Sequence, residues 1–438
     1  MADDARQDGS KTIPHWHTAD DQPMTIVDGH GARVTAADGT DYLDFLAQLY
    51  CCNIGHDNDT IIEAIKEQLG RIPYVSSAKH NDARSELAAR LAAIAPGSLH
   101  DVFFSVSGSE ANEAAIQIAR DVQDAPKVLT RWQSYHGATY AAGGLTGDPE
   151  TRTTIERYAS TSGIGKFLPP LPKAFDANSP AELADQAANH VEYVIRNEGP
   201  GSVAAILTEP IGGTSGAYPA PPGYFERLRE ICDQYDVLLI VDEVITGFGR
   251  CGDWFGIQTE NVEPDMITFA KGVTGGYIPL AGVIVSDGIG DQLTTNGHPL
   301  GQTFAGHPVG CAAGVAALDV YADGLLENVN KYEGYLETQL SSLAETHDAI
   351  DHVRGRGFLW SIVFADPETG EPFVHPWLTP DAENPVNQVR AVAAREGVLF
   401  GSGRPDVQVI VCPPLCVGRS DIDEATAALG TAVETVFA

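Results

Sequence analysis

An acid and an amine stand at the ends of two apolar runs in this chain. VLLIVDEV delivers Asp242 and Glu243 to the end of a β-branched stretch, and MITFAKG does the same for Lys271. Each run reads as a buried strand of an α/β sheet, and ligands bind at the carboxyl ends of such strands. A carboxylate and an amine placed there are costly unless each has a partner that stabilises or neutralises its charge. One chemistry answers both needs. In pyridoxal phosphate a carboxylate keeps the pyridine nitrogen protonated, which strengthens the ring as an electron sink, while a lysine amine forms a Schiff base with the aldehyde. Asp242 and Lys271 are assigned to these roles; taken alone, Lys271 also fits a strand-end lysine that reaches solvent.

The elements around these two residues follow the pattern of a mostly parallel sheet. From Asp101 onward five apolar strands each end in a polar or aromatic residue, with helical patterns or loops between them. DVFFSVSGSEANE is a strand, a Ser-Gly-Ser turn and an alanine-rich helix. Ser107 and Glu110 fit a capping box, so the turn needs no ligand. The same backbone amides, glycine and hydroxyls of Ser107, Gly108 and Ser109 also fit a phosphate cradle. KVLTRWQSYHG ends in Tyr135, a ring suited either to core packing or to stacking on a planar cofactor. SVAAILTEP ends in Glu209. Ahead of this unit, Asp-Gly pairs at 28–29 and 38–39 signal a small antiparallel meander, and helices are expected from Asp59 (with Ile61, Ile62, Ile65 and Leu69 on one face) and over 82–95. After about 331 come an acidic helix, the strand HVRGRGFLWSIVFA, a variable acidic loop over 365–385, the strand VQVIVCPP and a terminal helix over 420–437. The division expected is a large domain over 61–330 and a smaller α+β domain built from 1–60 and 331–438. Residues 1–12 read as a mobile arm.

Composition narrows the partners. The chain has 438 residues, with 27 Lys and Arg against 60 Asp and Glu, a formal charge of −33. Nucleic acid and anionic membranes are poor partners for such a surface. Dispersed acidity of this strength fits a protein adapted to high salt, where repulsion is screened over a few ångströms. From the polar start and the lack of an apolar run approaching a membrane span, a cytoplasmic protein is expected. Seven cysteines without paired metal-ligand spacing read as small buried hydrophobes, and no metal site is expected.

The ordered set SGSEANE, SYHG, TEPIGG, VDEVITGFGR, FAKG and GQTFAGHP closely resembles the class III aminotransferases, pyridoxal phosphate enzymes of fold type I, from DGTDYLDF to CPPL. The resemblance implies that Ser107, Gly108 and Ser109 hold the phosphate and that Tyr135 stacks on the pyridine ring, with His136 and Gly137 shaping the turn. It implies Asp242 on the ring nitrogen, Val244 on the opposite ring face and Lys271 in the Schiff base. Thr303 would reach the phosphate of a neighbouring subunit, which makes a homodimer, or a tetramer built from it, a condition of a complete site. Many members carry a glutamine after DEV for the cofactor's phenolic oxygen; this chain has Ile245, as in the branch that accepts amines and ω-amino acids. HWHT near 15–18 and AQLYCCNIGH resemble that branch as well, and Tyr50 would line the substrate entrance.

The reaction implied is amino transfer from an ω-amino acid or amine such as taurine, β-alanine or 4-aminobutyrate to pyruvate or 2-oxoglutarate, with freed Lys271 as general base and acid. Aminomutase, racemase or decarboxylase chemistry would use the same Lys271 and Asp242. A nucleotide-binding α/β protein that uses the Ser107 turn for a phosphate is the rival from another class, without a Gly-x-Gly-x-x-Gly turn or a Walker lysine. Arg404, one residue nearer to Pro413-Pro414 than the family's usual spacing, is either a surface arginine or the fork that binds a keto-acid carboxylate. In the second case Glu209 would hold its guanidinium when no carboxylate is bound.

Overall fold

The computed structural model describes residues 23–157, 162–375 and 383–437. The 1–12 arm and HWHT lie outside the described residues.

Seven strands form the sheet that carries the site: β1 (Leu99–Ser105), β2 (Lys127–Arg131), β3 (Ile164–Phe167), β4 (Val203–Thr208), β5 (Leu238–Asp242), β6 (Met266–Phe269) and β7 (Ala281–Ser286). Their order is β1-β7-β6-β5-β4-β2-β3. The pairs β5–β6, β5–β4, β2–β4 and β2–β3 are parallel, and β7 runs antiparallel to both β6 and β1. Every residue of β4 and β6 is buried, which accounts for their unbroken apolar runs: both faces of the sheet are covered. The central sheet is therefore mostly parallel, as the strand pattern in the sequence implied, with one antiparallel strand inserted. The strand β3 escapes the sequence reading because IGKF is short, carries a glycine and a lysine, and lies at the sheet edge.

Helices Gly108–Gln123, Pro180–Glu198 and Tyr224–Tyr235 alternate with the strands. Ser107 caps the first, its Oγ accepting the Glu110 N–H at 3.3 Å. The expected capping box closes one residue off register, because Glu110 Oε2 accepts from Val106 N (3.1 Å) rather than from the cap residue itself.

Smaller sheets flank this one. Strands Ile26–His30, Arg33–Ala36 and Asp41–Asp44 form the meander. Its first turn falls after His30, where Gly31 has φ 55°, and not at Asp28-Gly29, which lies inside a strand. Val398–Leu399 joins the same sheet, parallel to Asp41–Asp44. HVRGRGFLWSIVFA is two strands, Ile350–Arg356 and Leu359–Phe364, folded back at Gly357 (φ 58°), and Gln408–Val411 pairs with the second. In the helix Asp59–Arg71, Ile61 is buried but Leu69 is 51% exposed; Gln68 turns inward instead and donates to Ile72 O.

The helical stretch Pro308–Thr346 is long and apolar enough to cross a membrane by length and composition, a feature the sequence reading missed. Half of its most apolar window is buried, and Val309, Cys311, Ala313 and Ala317 sit in the protein core. It reads as a core helix of small residues. All seven cysteines are unpaired; Cys416 is exposed and Cys51 half-buried, against the expectation of uniformly buried thiols.

Candidate active site

Register brings the chemistry together. Asp242, the last residue of β5, lies beside Thr268 of β6, and Lys271 follows three residues later; Val241 lies beside Thr208 of β4, with Glu209 next in the chain. The acids and the amine therefore share the carboxyl edge of three adjacent strands, as the two apolar runs implied.

Asp242 is 4% exposed and surrounded by donors. Its Oδ2 takes His136 Nδ1 and Asn112 Nδ2, each at 2.8 Å, and its Oδ1 takes the Val244 N–H at 3.0 Å. Burial pushes the carboxyl up, yet His136, Asn112 and the Val244 amide together hold it below the usual carboxylate value. His136 is fixed from its other side by Thr130 Oγ1 at 3.0 Å, so it orients the acid as well as shaping the turn. Asn112 was not legible as a site residue. Its one signal is a polar side chain on the buried face of an alanine-rich helix.

Lys271 begins the turn Lys271–Thr274 with φ 45°, a left-handed conformation uncommon for a side-chain-bearing residue and frequent at functional sites. Burial lowers its amine below the ordinary lysine value, against the pull of Asp242 and of Cys51. Among the described residues no hydrogen bond or ion pair reaches its Nζ, which lies 5.4 Å from the Tyr50 ring centroid. Tyr50 is 5% exposed.

The Ser107 turn opens on the same edge. Gly108 abuts Val244: a Cβ there would come within 3.0 Å of Val244 Cγ1. Ser109 Oγ accepts from Ala138 N at 3.2 Å, and Gly137 (φ 126°) is needed because a Cβ would meet that hydroxyl at closer than van der Waals distance. The Gly108 and Ser109 amides, at the positive end of a sixteen-residue helix, have no acceptor among the described residues. A buried amine without a partner, a carboxylate with an open lone pair on Oδ1 and a bare helix start fit pyridoxal phosphate at its aldehyde, ring nitrogen and phosphate respectively. Ile245 packs toward Gly213 instead of offering a donor.

One expectation is corrected. Glu209 does not hold Arg404. It forms a buried pair with Arg131 (2.5 Å) and accepts the Tyr135 N–H at 3.2 Å, and the Arg131 guanidinium lies over the Tyr218 ring. Arg404 pairs instead with Asp148 (2.7 Å) and Thr151 Oγ1 (3.1 Å). Asp148, 2% exposed, also caps the helix Pro149–Glu156, so it is held by both tasks. Thr303 is exposed, its carbonyl taking the Tyr74 hydroxyl at 3.0 Å, and within this chain nothing draws it to the Ser107 turn.

Fold and site together define a pyridoxal-phosphate-dependent transferase of fold type I. The model of the aminotransferase class-III family matches residues 16–433, and the chain belongs to that family. It is an aminotransferase that uses pyridoxal phosphate. It is 36% identical to a probable aminotransferase of Mycobacterium tuberculosis, over 93% of this chain and 89% of that one. It is 33% identical to the diaminobutyrate–2-oxoglutarate transaminase of Halomonas elongata, over 94% and 90%. Among solved structures, taurine:2-oxoglutarate aminotransferase from Bifidobacterium kashiwanohense, in complex with PLP and glutamate, superposes with a TM-score of 0.92 at 34% identity, over 97% of this chain and 95% of that one.

Proposed function

We propose that this transaminase takes the amino group of an ω-amino acid or simple amine and passes it to 2-oxoglutarate or pyruvate, acting in the cytoplasm of a salt-adapted organism as a homodimer with shared sites. The observation that carries the reading is the unpartnered, desolvated Lys271 amine on the same strand edge as the buried Asp242 carboxylate. The names of its relatives, with diaminobutyrate, taurine and 2-oxoglutarate as substrates, support the substrate class.

Pyridoxal phosphate, when bound, supplies an aldehyde for the amino group and an electron sink for the substrate carbon's electrons. Asp242 holds a proton on the ring nitrogen, kept ionised for this by His136 and Asn112. Tyr135, its backbone fixed by Glu209, and Val244 would hold the pyridine ring between them. The amides of Gly108 and Ser109 and the hydroxyls of Ser107 and Ser109 hold the phosphate. Lys271 would hold the aldehyde carbon of the bound group, and its amine, when free, would move a proton off and onto the substrate carbon. Burial lowers that amine below the ordinary lysine value, the direction a general base requires. Tyr50 lines the entrance, and Arg404 receives the keto-acid carboxylate.

Thr303 lies on a surface with Phe304 (57% exposed) and Tyr74 (41% exposed), and would reach the phosphate of a second copy across that face. The division into a large domain over 61–330 and a smaller one from 1–60 and 331–438 draws support from the parallel pairing of Val398–Leu399 with Asp41–Asp44.

Borohydride reduction of the purified protein followed by peptide mapping tests the site: the pyridoxyl label is expected on Lys271, and Lys271→Ala abolishes transamination while the fold persists. A label on another lysine sinks the assignment. A panel of taurine, β-alanine, 4-aminobutyrate and simple amines with each keto acid tests the substrate class, which fails if only α-amino acids react.

A further inference from the structure

Two adjacent thiols follow Tyr50 directly. The backbone here is tightly wound: the N–H groups of Cys51 and Cys52 both donate to Ala47 O (3.0 and 3.1 Å), and Asn53 N donates to Cys51 O at 2.8 Å. Ala47, Gln48 and Tyr50 have φ of 49°, 58° and 60°, values that residues with side chains seldom adopt outside functional sites. The two sulfurs converge over one point, since a Cβ on Gly276 would lie 3.4 Å from Cys52 Sγ and 3.5 Å from Cys51 Sγ. Cys51 is half-buried and Cys52 buried.

The chemistry of the pair is asymmetric. The hydrogen bond from Cys52 outweighs burial and, with a backbone hydrogen bond at Leu49, lowers the Cys51 thiol below its ordinary value. The same bond raises the Cys52 thiol far above its ordinary value, so Cys52 keeps the proton. Cys416 is exposed, yet its surroundings push its thiol up to about 11. Reactivity follows the thiolate, so accessibility alone and thiolate character alone name different cysteines as the first to react.

We propose that Cys51 and Cys52 form a reactive dithiol beside Lys271, a modification site at which an oxidant of the hydroperoxide class makes a vicinal disulfide and reversibly stops turnover. The Cys51 thiolate attacks one peroxide oxygen; the O–O bond breaks, hydroxide leaves and Cys51 becomes a sulfenic acid. With the Cys51 thiolate consumed, Cys52 gives its proton to the departing hydroxyl as its sulfur attacks the Cys51 sulfur, the S–O bond breaks and water leaves. The thiols give up two electrons, and the peroxide takes them and ends as two waters once hydroxide gains the proton that Cys51 released. Consecutive Cα atoms lie about 3.8 Å apart, whereas disulfides span roughly 4.4–6.8 Å, so the bond formed is strained and readily reduced. Closing that ring pulls on the backbone immediately after Tyr50, whose ring lies over Lys271 Nζ.

The test uses the holoenzyme. Iodoacetamide at less than one equivalent and pH 7, read by peptide mapping, is expected to label Cys51 at least about tenfold ahead of Cys416; label on Cys416 first overturns the proposal. A few equivalents of hydrogen peroxide are expected to give a Cys51–Cys52 peptide lighter by two hydrogens and a several-fold loss of activity, both undone by dithiothreitol. No such linkage in the wild-type map, or a linkage that leaves turnover unchanged, refutes it without any variant. Cys52→Ser is expected to accumulate a Cys51 sulfenic acid that dimedone traps, and Cys51→Ser to resist peroxide. Inactivation of Cys51→Ser as fast as wild type would refute the mechanism.

Discussion

Arg404 shows how a single side chain can be held ready by its surroundings. Burial would lower its charge, but Asp148, with Glu150 and Tyr135 nearby, keeps its guanidinium firmly protonated. Tyr135 is close enough to act on its charge. A charge-assisted hydrogen bond is worth roughly 1.5–3 kcal/mol, or about 10- to 100-fold in binding. Arg404→Ala is expected to raise KM for 2-oxoglutarate or pyruvate by about tenfold or more, and to leave KM for an amine lacking a carboxylate nearly unchanged. Steady-state kinetics of both half reactions measure this; equal effects on both, or none, place the carboxylate elsewhere. The shared strand edge of Asp242 and Lys271 was legible because each follows an apolar run, where a strand must stop and face the ligand edge. Arg131, Asn112 and Asp148 were not, since each is defined by a partner remote in the chain, and such pairings leave no periodic trace.

At the scale of elements, the turn after β5 depends on Glu243. Its side chain is fully buried and accepts the Gly256 N–H (2.9 Å), the Ile257 N–H (2.7 Å) and the Thr246 hydroxyl. These bonds close the segment 244–257 on itself and seat Val244 against Gly108. Burial pushes the Glu243 carboxyl up to about 7 from an ordinary 4.5, despite the donors. Between those values the folded chain binds a proton that the unfolded chain has released, so this group's contribution to stability falls as pH rises through that window and is lowest above it. Linkage sets the swing at about 3 kcal/mol. Thermal melts should show Glu243→Gln less stable than wild type at pH 5, with the gap narrowing by pH 8; a gap that widens with pH contradicts the assignment. The parallel sheet itself was legible strand by strand. Its order was not, because β7 enters between β1 and β6 and only the packed sheet reveals that insertion.

The whole molecule carries a charge of −33. Screening reaches about 10 Å at 0.1 M salt and about 3 Å at 1 M. Transfer from molar salt to dilute buffer is therefore expected to lower the melting temperature and to dissociate the proposed dimer, read by scanning calorimetry and light scattering. An unchanged melt and mass in dilute buffer would remove the salt-adapted reading. Against that repulsion the chain is tied by buried nodes such as Arg250, which reaches Asn53 Oδ1 at 2.6 Å, Phe358 O at 3.1 Å and the Pro413 carbonyl from one side chain.

The pairing of Val398–Leu399 with Asp41–Asp44 also sets a timetable for the newborn chain. Leu43 leaves the ribosome early and its neighbour Val398 emerges near the end, tens of seconds later at about 5–20 residues per second. Through that interval the Asp41–Asp44 edge waits without its partner, open to any other strand that passes. The exposed carboxylate of Asp41 guards the edge against foreign pairing while it waits.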